Sequence, residues 1–230
     1  MNKKGWIIFG MIVVLLLAGL VLVSSKNKVS VSDIDVNTIQ GASEKSGNIA
    51  DHVFGKADSK VVLIEYGDFQ CPTCGAVHPI VQPLTEKYKD QIAFVFRNFP
   101  LTTIHPNARA AAAAAEAAGL QGKYWEMHNA IYDNQDSWSS STADERTNFF
   151  LGYAKEIGIN TDKFKTDLDN ADVNKKISFD QAIGKRINIQ GTPTIYLNGQ
   201  QLELTTVNNT TNLENALKAE MKRQNIALPN

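Results

Sequence analysis

Two cysteines, Cys71 and Cys74, are the only ones in the chain, and Pro72 and Thr73 separate them. Two thiols at that spacing can pass electrons as a dithiol/disulfide couple. Useful exchange needs one sulfur to ionise readily. A helix N-terminus supplies that, because its free N–H groups and dipole favour an anion. The flanking residues have the right character: the apolar run Val61-Val62-Leu63-Ile64 leads in, and a helical pattern runs from Gly75 to about Tyr88. Pro72 fits the first helical turn, where its missing donor costs nothing. An inert disulfide or half of a zinc site are the competing uses of the pair. Zinc would need two further ligands, and His52, His78, His105 and His128 are scattered. A redox pair, with no metal, is the reading the spacing favours.

Such a pair must be held by a sheet, and the flanking elements supply one. Val61 to Tyr66 reads as a buried strand from its continuous apolar content. Val77, Ile80, Val81 and Leu84 then fall at helical spacing, with Pro79 and Pro83 expected as kinks. Ile92 to Phe96 is a second strand, so strand, helix and strand predict a βαβ unit with a parallel pair. A helical block follows. It opens at His105-Pro106-Asn107, runs through the alanines to Gly119, and continues from Lys123 to about Asn134 with Tyr124, Met127, His128 and Ile131 on one face. Ser137 to Ser141 reads as a loop, and Thr142-Ala143-Asp144-Glu145 as a capping box that opens the next helix. Gly158 ends that helix. A short helix follows around Phe164 and Leu168, and a longer one spans Asp172 to about Ile187. Thr194 to Leu197 returns to strand. Asn198-Gly199 is a hairpin signal, Gln201 to Leu204 answers as the antiparallel partner, and Asn208 to about Gln224 closes the chain as a helix.

The N-terminus has a different character. Trp6 to Val23 contains no charged residue and is flanked by Lys3-Lys4 and by Lys26 and Lys28. At about 1.5 Å per residue it would span roughly 27 Å as a helix, enough for a bilayer core. The run is longer than a signal-peptide core, and Val21-Leu22-Val23-Ser24-Ser25 makes a poor cleavage site. Residues 1–25 are therefore expected to be an uncleaved transmembrane anchor, with a cleaved signal as the alternative. Residues 26–50, rich in Ser, Asn, Lys, Asp and Gly, are expected to be a flexible tether. A loosely docked segment competes, since Val29, Val31, Ile34 and Val36 alternate loosely and would suit a short strand. The folded domain is expected over residues 51–228.

Composition narrows the function further. The 230 residues are 20% charged with a formal net charge of −1, which gives no electrostatic case for nucleic acid. Two cysteines cannot staple a domain this large, so the pair serves chemistry and not scaffold.

A βαβ half carrying Cys-x-x-Cys, joined through helices to a ββα half opening with Gly191-Thr192-Pro193, resembles the DsbA-like thiol:disulfide oxidoreductases. These are thioredoxin-fold proteins with a helical insertion, here about residues 106–187. The resemblance covers roughly residues 51–222. It rests on Val62 through Cys74, on Phe96-Arg97-Asn98-Phe99-Pro100-Leu101, and on Gly191-Thr192-Pro193-Thr194 with Asn198-Gly199. It implies that Cys71 is the exposed nucleophile and Cys74 its buried partner. It further implies a cis peptide bond before Pro193, which would turn the backbone of Thr192 outward to pair with an extended substrate. On sequence alone Glu65 could be a solvated strand-end residue. The resemblance makes it a buried acid that takes the proton of Cys74.

One position departs from the family. Its strong oxidants carry a histidine directly before the second cysteine, and Thr73 stands there, which points to a less oxidising couple. His78 reads as a surface histidine, and Arg97 as a surface or ion-pair residue without a catalytic part. Phe149, Phe150, Trp125 and Trp138 read as packing in or against the helical block. The function expected is an oxidoreductase of the cell membrane, single-pass, with its catalytic domain on the extracytoplasmic side. It would form disulfides in cysteine-containing exported proteins and need no cofactor beyond its own disulfide. A DsbB-like or vitamin-K-reductase-like membrane partner would reoxidise it. A reductase or isomerase using the same site is the first alternative, and a non-catalytic peptide-binding holdase the remote one.

Overall fold

The apolar run ahead of the cysteines forms the central strand of a five-stranded sheet. Its strands are β1 (Val53–Gly55), β2 (Val62–Gly67), β3 (Ala93–Asn98), β4 (Thr194–Leu197) and β5 (Gln200–Gln201), in the order β1-β3-β2-β4-β5. The computed structural model describes residues 6, 9–16 and 29–229. Strand β2 pairs parallel with β3 and antiparallel with β4, so most of its side chains are buried, which explains its unbroken hydrophobic content. Between β2 and β3 the chain runs through helix α1 (Pro72–Lys87). Pro79 and Pro83 lie inside α1, and the helix carries both.

The insertion between β3 and β4 comprises α2 (Ala108–Gly119), α3 (Tyr124–Asp133), α4 (Gln135–Trp138), α5 (Ala143–Glu156), α6 (Thr161–Asp167) and α7 (Ala171–Arg186). Alanine supplies the packing surface of α2: eight of its alanines are buried, so small side chains let the helix approach its neighbours closely. The Thr142 capping box forms as expected, with Glu145 reaching back to the Thr142 N–H at 2.9 Å. In α3 the stripe Tyr124, Met127, His128 and Ile131 is buried. Trp138 and Phe150 are fully buried in the block, whereas Phe149 is exposed.

Four readings need correction. The expected strand over 201–204 ends at Gln201, because Leu204 begins a short helix, α8 (Leu204–Val207), before α9 (Thr210–Arg223). The loop expected from Ser137 is partly helical, as α4. His78 is not a surface residue; it is buried.

The fourth concerns the tether. Over residues 31–50 the chain is docked, not loose, and it forms no strand. A 3-10 turn at Glu44–Ser46 is closed by a Ser43/Ser46 capping box. Gly47, at φ 63°, lies so close to Asp172 at the start of α7 that a Cβ there would collide with its backbone. Arg186 holds the carbonyls of Val31 and Ile34. Arg97 donates to the carbonyls of Val36 at 2.7 Å and Thr38 at 2.6 Å. The composition is polar because these residues present backbone to the domain instead of apolar side chains.

The same arginine opens a buried charge network. Arg97 pairs with Asp51 at 2.9 Å, Asp51 with Lys176 at 2.8 Å, and Lys176 with Asp180 at 2.6 Å. Asp180 accepts from the backbone N–H of Asn98, whose side chain donates to Glu116, and Glu116 meets His52 at 2.9 Å. Burial would raise the Asp51 carboxyl, but Lys176 and Arg97 outweigh it and hold it down at about 2.

Residues 1–30 form a separate unit. Within it residues 9–16 are helical. Part of the expected anchor lies outside the described residues. Among the described residues no helix is long and apolar enough to cross a membrane.

Candidate active site

The sheet and α1 place the cysteines. Strand β2 ends at Gly67, and residues 68–70 turn the chain so that Cys71 becomes the N-cap of α1 with Pro72 at its first position. Cys74, one turn in, points to the core and is fully buried, while Cys71 keeps slight exposure. Pro72 and Thr73 between them are exposed. Both sulfurs are thiols.

The two thiols differ sharply in acidity. The Cys71 thiol is lowered to about 5, chiefly because Cys74 hydrogen-bonds to its sulfur; burial opposes this, and Thr192 and the N–H groups of Cys74 and Thr73 add to it. Burial pushes Cys74 well above the ordinary thiol value, and its bond to Cys71 and the nearby Glu65 push the same way. One sulfur is therefore a thiolate at neutral pH, and the other holds its proton.

Glu65 is a buried acid, not a solvated strand end. It faces Phe96 on one side and Ile195 on the other, inside the sheet. Burial raises it to about 8, and the Cys71 sulfur adds to the rise. Glu65 also lines a cavity of about 320 Å³ with His78, Trp125 and His128. Nε2 of His78 lies 3.3 Å from Asp133, yet burial lowers that histidine. His128 is pushed down to about 3 by burial, with His78 contributing, so it is neutral.

The β2–β4 register brings Gly191, Thr192 and Pro193 to the same rim. The Thr192–Pro193 bond is cis, and the Cys71 sulfur lies 3.4 Å from the Thr192 carbonyl oxygen, to which it donates when protonated. All three residues are half-exposed beside the nucleophile.

Sequence reasoning missed the clamps on this loop. Gln135 donates through Nε2 to the carbonyls of Phe69 at 2.7 Å and Cys71 at 2.9 Å. Its side chain crosses so close to Gly75 that a Cβ there would collide with it, which is why α1 tolerates a glycine in its first turn. Asp68 accepts from Gln70 N–H, from Leu101 N–H and from His105, each at 2.8 Å. Gln70 in turn donates to Ser139 O at 2.6 Å. The helical insertion thus fixes the loop from outside. Gly75 is the one sequence signal that could have pointed to such a close approach.

Residues 47–219 match a family model described as thioredoxin. The chain belongs to the thioredoxin family. Solved structures superpose on the chain over most of their own length. BdbD from Bacillus subtilis, oxidised, does so at a TM-score of 0.65 and 23% identity, over 80% of this chain and 98% of that one. The alpha-DsbA1 protein of Wolbachia pipientis gives 0.63 at 20% identity, over 75% and 92%. At these identities the likeness is one of fold. Among curated proteins, the Na(+)/H(+) antiporter NhaA 1 of Salinispora arenicola is 38% identical over 151 residues, 66% of this chain but 22% of that protein. The chain thus spans less than a quarter of the length of such relatives, and the antiporter name belongs to those whole proteins. Its own fold is mixed α/β and thioredoxin-like, with a helical insertion.

Proposed function

We propose that this thioredoxin-family protein is a thiol:disulfide oxidoreductase that forms disulfides in exported proteins, acting at Cys71-Pro72-Thr73-Cys74. The observation that carries the reading is the asymmetry of the pair: an ionised Cys71 at the rim and a protonated Cys74 in the core. In the oxidised enzyme a substrate thiolate attacks the Cys71 sulfur. The Cys71–Cys74 bond breaks and Cys74 leaves with the electron pair, taking a proton from the buried carboxyl of Glu65. A second substrate thiolate then attacks the substrate sulfur of the mixed disulfide. Cys71 departs as the stabilised thiolate and the substrate leaves oxidised. Gly191, Thr192 and Pro193 would hold the substrate as an added strand.

Anchoring by Trp6–Val23 and an extracytoplasmic catalytic domain complete the proposal, supported by the charge-free run and by the oxidising setting a dithiol oxidase needs. A DsbB-like or vitamin-K-reductase-like membrane protein would reoxidise the pair. Thr73 favours a second reading, a reductase or isomerase at the same site, because it stabilises the Cys71 thiolate less than a histidine would. Cys71→Ser should abolish oxidation of a reduced peptide substrate, and Cys74→Ser should accumulate mixed disulfides on non-reducing gels. Full activity in either variant would overturn the proposal. A reduction potential near that of cytosolic thioredoxin, roughly −270 mV, would select the reductase.

A further inference from the structure

A second concavity, of about 490 Å³, lies in the helical insertion. Arg109 of α2 and Arg146 of α5 line it, with Lys165 and Asp169 from α6 and its C-terminal end, and with Phe150 and Leu168 as apolar wall. Among the described residues neither arginine meets a carboxylate. Arg109 is held by neutral acceptors alone: the Asn174 carbonyl at 3.1 Å, the Asn174 side chain at 3.2 Å, Ser178 at 3.1 Å and Gln181 at 3.4 Å. Arg146 gives Nη1 to the Asn107 side chain at 2.7 Å, and its Nε is buried without a partner.

Among the described residues the two fully buried cations, Arg97 and Lys176, each sit on carboxylates instead. A half-buried guanidinium loses hydration, and burial accordingly lowers both Arg109 and Arg146, with no acid to compensate. The lining holds three cations against Asp169 alone, and Asp169 is exposed and ion-paired with neither arginine. Guanidinium forks suit the paired oxygens of a carboxylate or phosphate. Phe150 lines the same concavity, and the volume is that of a small-molecule site.

We propose that this concavity binds a small oxyanion-bearing molecule, a phosphate or carboxylate with an apolar body, between Arg109 and Arg146. The charged group would take the unpaired donors of both arginines, and the apolar body would lie on Phe150 and Leu168. The site is separate from the cysteine pair and does not depend on the redox reading. It touches the active-site loop through one residue, since Asn107 accepts from Arg146 and its own N–H donates to Gln70.

Titration calorimetry of the full chain at constant ionic strength, with phenyl phosphate, inorganic phosphate and phenol as probes, tests it. Saturable 1:1 binding is expected for phenyl phosphate, weaker binding for inorganic phosphate and none for phenol. Arg146→Gln and Arg109→Gln should each weaken phenyl phosphate at least tenfold. Arg146→Lys, which keeps the charge and loses the fork, should fall between. Thermal midpoints of the variants separate loss of binding from loss of fold, and phosphate line broadening at Arg146→Lys gives a second readout. Equal binding in wild type and both glutamine variants, linear uptake without saturation, or phenol binding as well as phenyl phosphate would each overturn the proposal.

Discussion

Thr73 is exposed between a thiolate and a buried thiol, and its hydroxyl is the only side-chain donor the dipeptide offers. A charged or polarised imidazole at that position would add a hydrogen bond to the Cys71 thiolate, worth about 1.5–3 kcal/mol. Stabilising the thiolate stabilises the reduced form, so Thr73→His should raise the reduction potential by about 30–60 mV. Equilibration with glutathione measures it, and an unchanged or lower potential would refute the argument. The wild-type value should lie below about −120 mV, where the strong oxidants stand. Glu65 makes a separate prediction. Its carboxyl is raised from 4.5 to about 8, so the folded state favours the neutral acid. That contribution is complete below pH 4.5 and is lost as pH rises through 8. Glu65→Gln removes the titration. Relative to wild type it should therefore gain stability by up to about 1.4 kcal/mol per pH unit across that window. Urea unfolding of the reduced protein at pH 4.5, 6 and 8 reads the trend. Parallel curves at all three would show Glu65 to be solvated.

Among the elements, β3, α2 and α7 meet around charges, not only around side-chain hydrocarbon. Asp51 neutralises Arg97 and Lys176 at once, both of them buried. Asp51→Asn leaves Lys176 with Asp180 as its carboxylate and strips Arg97 of its own, and should cost about 3–5 kcal/mol, read as a drop in the urea midpoint. A loss under about 1 kcal/mol would mean that water reaches the network. This junction marks where sequence reading stopped. Strands β2 and β3 were legible as unbroken apolar runs because the sheet buries them almost throughout, whereas β4 and the long helices each have a face whose period the core imposes. The hairpin was legible because Asn198 and Gly199 both adopt left-handed backbone, at φ 46° and 80°. Strand β1 was not, since Val53-Phe54-Gly55 is too short for a period to show. The cysteine pair announced itself by spacing. The acid, the cis-proline loop and their roles came only with the family resemblance, and the Gln135 clamp came with neither. Gln135 lies 64 residues from Cys71, and nothing local in a Gln-Asp-Ser-Trp segment says which loop it will hold.

At the scale of the whole molecule, the domain is larger than its cysteine-bearing half and begins earlier than its composition suggests. Residues 31–50 contribute Val31 and Ile49 to the buried set, but their main service is to supply carbonyls to two arginines. Among the described residues Arg97 has no other partners for those donors beyond Tyr66 and Asp51. A chain beginning at Gln40 keeps Asp51, the Ser43–Ser46 turn and every element of the sheet, yet strips Val36 and Thr38 from Arg97 and Val31 and Ile34 from Arg186. Each hydrogen bond lost from the buried Arg97 is worth about 1.5–3 kcal/mol, partly recovered by water that enters, while those lost from the exposed Arg186 are replaced by solvent at little cost. The shortened protein should therefore unfold at lower urea, by about 2–4 kcal/mol. Its thiolate absorbance should titrate as in the full chain, because Cys71 is tuned by Cys74, Thr192 and the first turn of α1 and not by this segment. A midpoint equal to that of the full chain would make residues 31–39 a passive tether after all. A shifted thiolate titration would instead mean that the segment's hold on β3 reaches through β2 to the cysteines.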